Sequence, residues 1–260
     1  MAVSKRFIRD MQSRFAGLPN IKSDLQRTIR KRRKRPFEEE FEVLKALSPK
    51  GRCAIDVGAN RGQSIDAIRL YHPSVNIHSF EPNGAIFTKL KARFRQDENL
   101  TICNAGLGDR EARMTLHVPY YRSFLYDGLS SFSKERAESW LNSQSVWKFK
   151  PELLRIEAHA CHIEVLDKYA LEPFFLKIHV QGFELDVLRG AKQTIESHDP
   201  VLLIANNEDA DLWLRKSGWT QYCYAGAKLI EMPQNDLNLY NCVYLNLQKQ
   251  EHRDIIMALT

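Results

Sequence analysis

Gly51-Arg-Cys-Ala-Ile-Asp-Val-Gly-Ala-Asn-Arg-Gly62 is the stretch that decides the fold. Cys53 to Val57 form a short apolar run, Gly58 and Gly62 punctuate the turn behind it, and Ile65 and Ile68, with Asp66 and Arg69 turned away, open a helix. The unit is a strand, a tight loop and a helix, with Asp56-x-Gly58-x-x-x-Gly62 at its hinge. Glycines there permit positive φ and close backbone approach, and the first N–H groups of the helix point at whatever sits above the loop. A nucleotide-like ligand is the implied occupant.

Asp56 helps decide which nucleotide. A dinucleotide turn reads Gly-x-Gly-x-x-Gly because a pyrophosphate lies on bare backbone, and a P-loop needs Gly-Lys-Ser/Thr; neither is present. An aspartate at the end of a strand repels a pyrophosphate but suits a cationic ligand such as the amino-acid and sulfonium end of S-adenosylmethionine. About 25 residues on, Ser79-Phe80-Glu81-Pro82 ends a second strand with an acid, where a βαβ unit binds ribose hydroxyls. The alternative is a helix-capping role for Asp56 and a solvated turn for Glu81.

At 260 residues the chain suits one α/β domain with an appendage. No apolar run is long enough to cross a bilayer, and the N-terminus has no apolar core of a secretory signal. Cys53, Cys103, Cys161, Cys223 and Cys242 are dispersed and mostly sit in strand-like runs, which reads as reduced core thiols and a cytoplasmic setting. Charge is unevenly spread: residues 1–36 hold 12 Lys/Arg against Asp10 and Asp24, leaving 26 basic and 30 acidic residues for a mildly acidic body. In that arm Ile8, Met11, Phe15 and Leu18 recur at helical spacing, Ile21, Leu25 and Ile29 continue the stripe, and Arg30 to Arg35 are all basic. Such a helix lies on anionic lipid, grips phosphates, or packs on the domain with its charges solvated.

The expected organisation is therefore a basic arm over 1–36 and a body over 37–260. A helix is predicted over 37–47. Strands are expected at 53–57, 76–80, 100–104, 174–180 and 201–205, alternating with helices at 62–71, 84–96, 184–196 and 210–217, and an antiparallel pair, 221–224 with 241–247, closes the sheet. This is a doubly wound, mostly parallel α/β sheet whose ligands sit at the carboxyl ends of its strands. Residues 109–170 break the alternation, with a hairpin expected between 109–114 and 115–118 and a returning strand at 159–165. Eight of the 26 aromatic residues fall in 116–150, so this insertion is the expected source of substrate contacts. Tyr121, Tyr126, Ser130 and Ser131 offer ring faces and hydroxyls suited to a sugar; the competing reading is a small satellite core under a long loop. Asn206 and Glu208, after the fifth strand, are further candidates, although Asn-Asn-Glu-Asp also makes an ordinary helix cap. His159 and His162 lack a closed zinc spacing, and no metal site is expected.

Five motifs together resemble the FkbM-type family of S-adenosylmethionine-dependent O-methyltransferases: Ile55-Asp-Val-Gly-Ala-Asn-Arg-Gly62, Phe80-Glu-Pro-Asn83, Asn104-Ala-Gly-Leu-Gly-Asp109, Val165-Leu-Asp167 and Phe175 to Ala191. The resemblance spans about residues 50–247 and implies a class I, Rossmann-like methyltransferase fold with sugar or polyketide hydroxyls as acceptors. Carried over, it implies that Asp56, Gly58, Asn60 and Gly62 hold the methionine part, Glu81 the ribose, and Asn104, Ala105 and Gly106 the adenine edge. Where the family reads Lys-Ile-Asp-Val-Glu-Gly, this chain has Lys177-Ile-His-Val-Gln-Gly182. Loss of two acids argues against a divalent cation there. His179, at the end of the fourth strand, becomes the candidate general base or substrate ligand. The expected reaction is O-methylation of a sugar or glycan precursor, with the arm at an anionic membrane surface. An RNA acceptor and a catalytically impaired S-adenosylmethionine-binding module are the alternatives.

Overall fold

The computed structural model describes residues 2–14, 27, 28, 30, 32–233 and 239–259. Phe15, Leu18, Ile21, Leu25 and Ile29, the continuation of the arm's apolar stripe, lie outside the described residues.

In chain order, helix α1 (Ala2–Arg14) and a 3-10 helix (Glu39–Ala46) lead into β1 (Cys53–Val57), α2 (Gln63–Tyr71), β2 (Ile77–Phe80), α3 (Gly84–Arg93) and β3 (Leu100–Cys103). Next come β4 (Gly106–Leu107), β5 (Ala112–Tyr121), β6 (Phe124–Leu125), α4 (Lys134–Ser139) and β7 (Leu154–Glu164). The chain continues through β8 (Pro173–Ile178), α5 (Glu184–Gly190), α6 (Lys192–His198), β9 (Val201–Ala205) and α7 (Glu208–Lys216). It ends with β10 (Trp219–Ala225), β11 (Lys228–Glu231), β12 (Asn241–Asn246) and α8 (Gln250–Leu259). Two compact units emerge: Met1–Arg33 with Arg113–Cys161, and Lys34–Ala112 with His162–Thr260.

The larger unit holds an eight-stranded sheet ordered β11-β10-β12-β9-β8-β1-β2-β3. β3, β2, β1, β8 and β9 run parallel, and β12, β10 and β11 close the sheet antiparallel. Period-two alternation sorts the side chains by face. Cys53, Ile55, Val57, Leu176, Ile178, Leu202 and Ile204 meet Val187, Leu188 and Ile195 of α5 and α6 in one buried cluster. The intervening positions face the other way, where Phe41 of the 3-10 helix packs on Phe175 at 6.2 Å. The parallel core and antiparallel closure match the order expected from the sequence.

Several elements differ from expectation. The lead-in helix is 3-10 rather than α, and the helix expected over 184–196 is two helices divided at Ala191 (φ −109°, ψ 9°). At the end of the first of these, a Cβ on Gly190 would stand 1.9 Å from the Gly108 carbonyl oxygen, so only glycine allows the helix to approach β4 this closely. The hairpin expected within 109–118 is one strand, β5, and α8 was not anticipated.

In the smaller unit, β5 lies between β7 and β6, and Tyr121, Tyr126, Leu141 and Val146 make a separate core. Helix α1 belongs to this unit. Trp147 N–H donates to Arg6 O at 3.2 Å, Tyr126 hydroxyl donates to Arg9 O at 3.2 Å, and buried Asp10 pairs with Arg14 at 3.0 Å and Arg122 at 3.4 Å.

Candidate active site

In the larger unit the chain winds outward in both directions from the gap between β1 and β8, the switch point at whose carboxyl edge doubly wound sheets bind ligands. Both strands end in a glycine-bearing loop. Gly58 has φ +81°, and a Cβ there would sit 2.1 Å from the His179 carbonyl oxygen. The two loops thus touch backbone to backbone.

A buried polar ladder lies beneath them. Parallel register sets Asp56 beside Ser79 on β2 and beside Lys177 on β8. Asp56 is 0% exposed. Its Oδ2 accepts from Ser64 Oγ at 2.6 Å and Ser79 Oγ at 3.3 Å, and Oδ1 faces Lys177 Nζ at 3.0 Å. The same ammonium donates to the carbonyls of Val57 at 3.1 Å and Gly58 at 2.7 Å. Two carbonyls accept from it, and its contact with Asp56 is an ion pair, Oδ1 having no hydrogen-bond partner among the described residues. The structure places Asp56, expected to face a cationic ligand, fully buried beneath the loop and paired with Lys177. Lys177, on β8, is the other half of this anchor.

The loop above has three left-handed residues in five: Gly58, Asn60 (φ +45°) and Gly62 (φ +80°). Glu81 fixes it from β2, its Oε2 accepting from Asn60 N at 2.8 Å and its Oε1 from Asn83 N at 2.9 Å. Asn83 in turn caps α3, accepting from Ala85 N at 3.0 Å and Ile86 N at 3.3 Å. Asn104 donates its amide to the carbonyl of Glu81 at 2.9 Å. Ala105 is buried, and Gly106 pairs with Ile163. The structure thus gathers Gly58, Asn60, Gly62, Glu81 and Asn104 into one hydrogen-bonded group at the carboxyl edge. The side-chain oxygen Oδ1 of Asn60 is buried with no hydrogen-bond partner among the described residues.

On the β8 side, His179 donates its backbone N–H to Val57 O at 3.1 Å, and its half-buried ring lies 5.0 Å from the Tyr240 ring. Burial first, and the Lys177 charge second, push its pKa down to about 3 against the pull of a hydrogen bond with the Asn241 side chain. Gln181 brings its amide nitrogen to 3.1 Å from His179 Nε2. The ring is uncharged near neutral pH and a weak base, which fits a hydrogen-bonding ligand better than the expected general base. Glu184 fixes the loop, accepting from Val180 N at 3.0 Å, Gly182 N at 2.9 Å and Asn207 Nδ2 at 2.9 Å.

The acid at this edge comes from outside the motifs. Glu38 precedes the 3-10 helix and accepts from Asn241 Nδ2 at 3.0 Å. Burial raises its pKa against the lowering effect of Lys177, with Glu40 and Asp56 adding to the rise. Burial also raises the pKa of Tyr240, helped by Glu38 and Glu40. No spacing rule links Glu38 to a site residue 200 positions later, so sequence reasoning missed it. Asn206 also belongs to this edge, its N–H donating to Tyr240 O at 3.0 Å, and Glu208 is exposed at the start of α7. Asn207 is the helix cap, accepting from Ala210 N at 3.0 Å.

The other expected substrate residues belong to the smaller unit. Tyr121 is fully buried, stacked on Phe149 at 5.1 Å with its hydroxyl accepting from Lys150 N at 2.9 Å, so it is a core ring with no face for a ligand. Tyr126 is buried edge-on to Phe124. Ser131 is buried and accepts from Ser133 N at 3.2 Å, while Ser130 hydroxyl donates to Asp127 O at 2.9 Å. For Tyr121, the satellite-core reading is the correct one. No group of three or more His, Cys, Asp or Glu residues suited to a metal occurs among the described residues.

Among solved structures, the chain is similar to the FkbM methyltransferase from Methylobacillus flagellatus KT at 16% identity and a TM-score of 0.47, covering 75% of this chain and 43% of that one. It is similar to a putative methyltransferase from Streptococcus mutans in complex with SAH at 14% identity and a TM-score of 0.43, covering 81% of this chain and 96% of that one. A SAM-dependent O-methyltransferase from Thermotoga maritima gives 9% identity and a TM-score of 0.37, covering 81% and 64%. This chain thus spans less than half the length of the first of these proteins. No curated protein matches it significantly. The family model for the methyltransferase FkbM domain matches residues 56–223, from the aspartate of the buried ladder into β10. That match covers well over half of the sequence, and the chain belongs to the FkbM methyltransferase family.

Proposed function

We propose that this protein is an S-adenosylmethionine-dependent O-methyltransferase acting on a hydroxyl of a sugar or glycan precursor. The observation that carries the reading is the loop from Gly58 to Gly62, anchored from below by Asp56 and Lys177, tied from the side by Glu81, and opening beside an uncharged histidine at the switch point. The residues present fit the cofactor: the buried, unpartnered oxygen of Asn60 is an acceptor suited to the ammonium of an amino-acid moiety. Gly58, Asn60 and Gly62 hold that moiety, Glu81 the ribose, and the Asn104 to Gly106 turn the base. When bound there, S-adenosylmethionine supplies a sulfonium methyl group.

The protein's own residues bring the acceptor oxygen into line, which is where most of the rate arises, since alignment alone is worth about 7–11 kcal/mol in favourable cases. His179, uncharged, orients the hydroxyl by hydrogen bonding, with Asn206 and Glu208 contacting the rest of the acceptor. Glu38 takes the hydroxyl proton as the oxygen is methylated. Its raised pKa makes it a better proton acceptor than an ordinary surface carboxylate, and Asn241 holds it in place.

Titration calorimetry with S-adenosylmethionine tests the donor, and an absence of heat ends that assignment. Turnover on glycan and RNA pools then tests the acceptor, and methylation confined to RNA replaces the sugar. A specific observation favours a second reading, a binding module without turnover: Gln181 approaches His179 Nε2, and no acid stands at residues 179 and 181. Cofactor binding without turnover on any hydroxyl pool selects that module.

A further inference from the structure

Helix α1 is docked the wrong way round for a helix that only stabilises a fold. Its polar residues Asp10 and Ser13, three apart and on one face, are buried within the smaller unit at 3% and 0% exposure. Asp10 sits between the guanidinium groups of Arg14 and Arg122, and Arg9 reaches the Ser145 carbonyl at 3.4 Å. Phe7, Ile8 and Met11, related by three- and four-residue steps, share the other face and are 53%, 43% and 38% exposed. A surface helix of a soluble domain turns its apolar stripe to the core. Here that stripe faces away from it.

The charge of residues 1–36 is one-sided. Of the two acids in residues 1–36, Asp10 is neutralised inside the unit, whereas Arg32, Arg33, Lys34 and Arg35 are exposed. Large apolar side chains on an exposed helix face, within a segment of 12 basic residues, match the two attractions of an anionic bilayer: hydrocarbon for the side chains and phosphate headgroups for the cations. Single-stranded RNA needs cations and stacked aromatics on the contact face, and this face offers one ring and two aliphatic chains. No helix among the described residues is long and apolar enough to cross a membrane, so the contact is peripheral.

We infer that the exposed face of α1, aided by the basic charge of the N-terminal segment, docks this protein peripherally on an anionic lipid bilayer. The test is co-sedimentation of the full chain with vesicles of phosphatidylcholine, with and without phosphatidylserine, alongside a gel shift with a single-stranded RNA. Phosphatidylserine should raise the bound fraction, and added salt should lower it. The triple variant Phe7→Ser/Ile8→Ser/Met11→Ser should weaken vesicle binding about 10-fold or more. Replacing Arg32, Arg33, Lys34 and Arg35 by Gln should remove the phosphatidylserine dependence. Leu212→Ser, which alters an exposed leucine of the larger unit (50% exposed), should change nothing. All these positions are exposed, and thermal melting checks that each variant is folded. Equal binding to both vesicle types, an unimpaired triple variant, or an equal loss with Leu212→Ser would overturn the inference. RNA binding without vesicle binding would assign the arm to nucleic acid.

Discussion

The loops after β1 and β8 meet at the switch point, yet they are held by opposite means. The β1 loop rests on charge: a buried aspartate, a buried lysine and a nearly buried glutamate are each matched inside the protein. The β8 loop is held by Glu184 through backbone donors, and it presents an uncharged ring beside an amide. One side is built on paired charges; the other offers neutral hydrogen-bonding groups with Glu38 and Glu40 near its rim. The difference shows how an edge with His179 and Gln181 in place of acids still presents hydrogen-bonding side chains.

The largest effect should come from breaking the charged side. Lys177→Met leaves Asp56 buried and unpaired, which costs about 3–5 kcal/mol for pairs of this kind and should appear in denaturant titration together with loss of cofactor heat. A variant as stable as the parent would mean that the ladder carries no structural charge. Next, Glu38→Gln should lower turnover about 10²-fold while leaving cofactor affinity within about twofold. Unchanged turnover would return the proton to His179 or to water. The acid limb of turnover in the parent should lie above the ordinary carboxylate value of 4.5, set by Glu38 among Lys177, Glu40, Asp56, Asn241 and Tyr240.

A subtler effect concerns protons. The folded-state pKa of His179 lies below its ordinary value of 6.5, so the unfolded chain binds the extra proton first as pH falls. Its contribution to stability is therefore intact above pH 6.5 and declines toward pH 3, with a slope of at most about 1.4 kcal/mol per pH unit. His179→Gln should flatten the fall in stability between those limits relative to the parent; parallel curves would place the ring in water. The smallest effect belongs to Asn83→Ala, which removes the α3 cap at a cost of about 1 kcal/mol and leaves turnover nearly unchanged.

What the sequence reveals of this site follows from how locally each feature is encoded. The β1 loop is legible because its strand, glycines and helix are adjacent, and the Asn206-Asn207 turn is legible as a cap because it stands just before its helix. The Asp56–Lys177 pair joins positions on two strands far apart in sequence, and only the parallel register brings them together. Glu38 reaches the edge from a 3-10 segment that hydropathy presents as an ordinary amphipathic helix. Gly190 lies against Gly108, a contact between distant positions that no local pattern announces. Composition gives Tyr121 as one of many aromatics, but only packing distinguishes a core ring from a binding ring. The α1 periodicity identifies an apolar face without saying which side is covered.

The short β4 strand has a consequence for where this chain tolerates change. Gly106 and Leu107 pair with Ile163 and Glu164, and Gly108 N–H donates to Glu164 O at 3.0 Å, so the chain leaves for its excursion and returns from it at one zipped junction. Main-chain bonds make that seam, and helix α5 meets it through Gly190 with no side chain between, so side-chain changes along 113–161 leave the bonds of the junction in place.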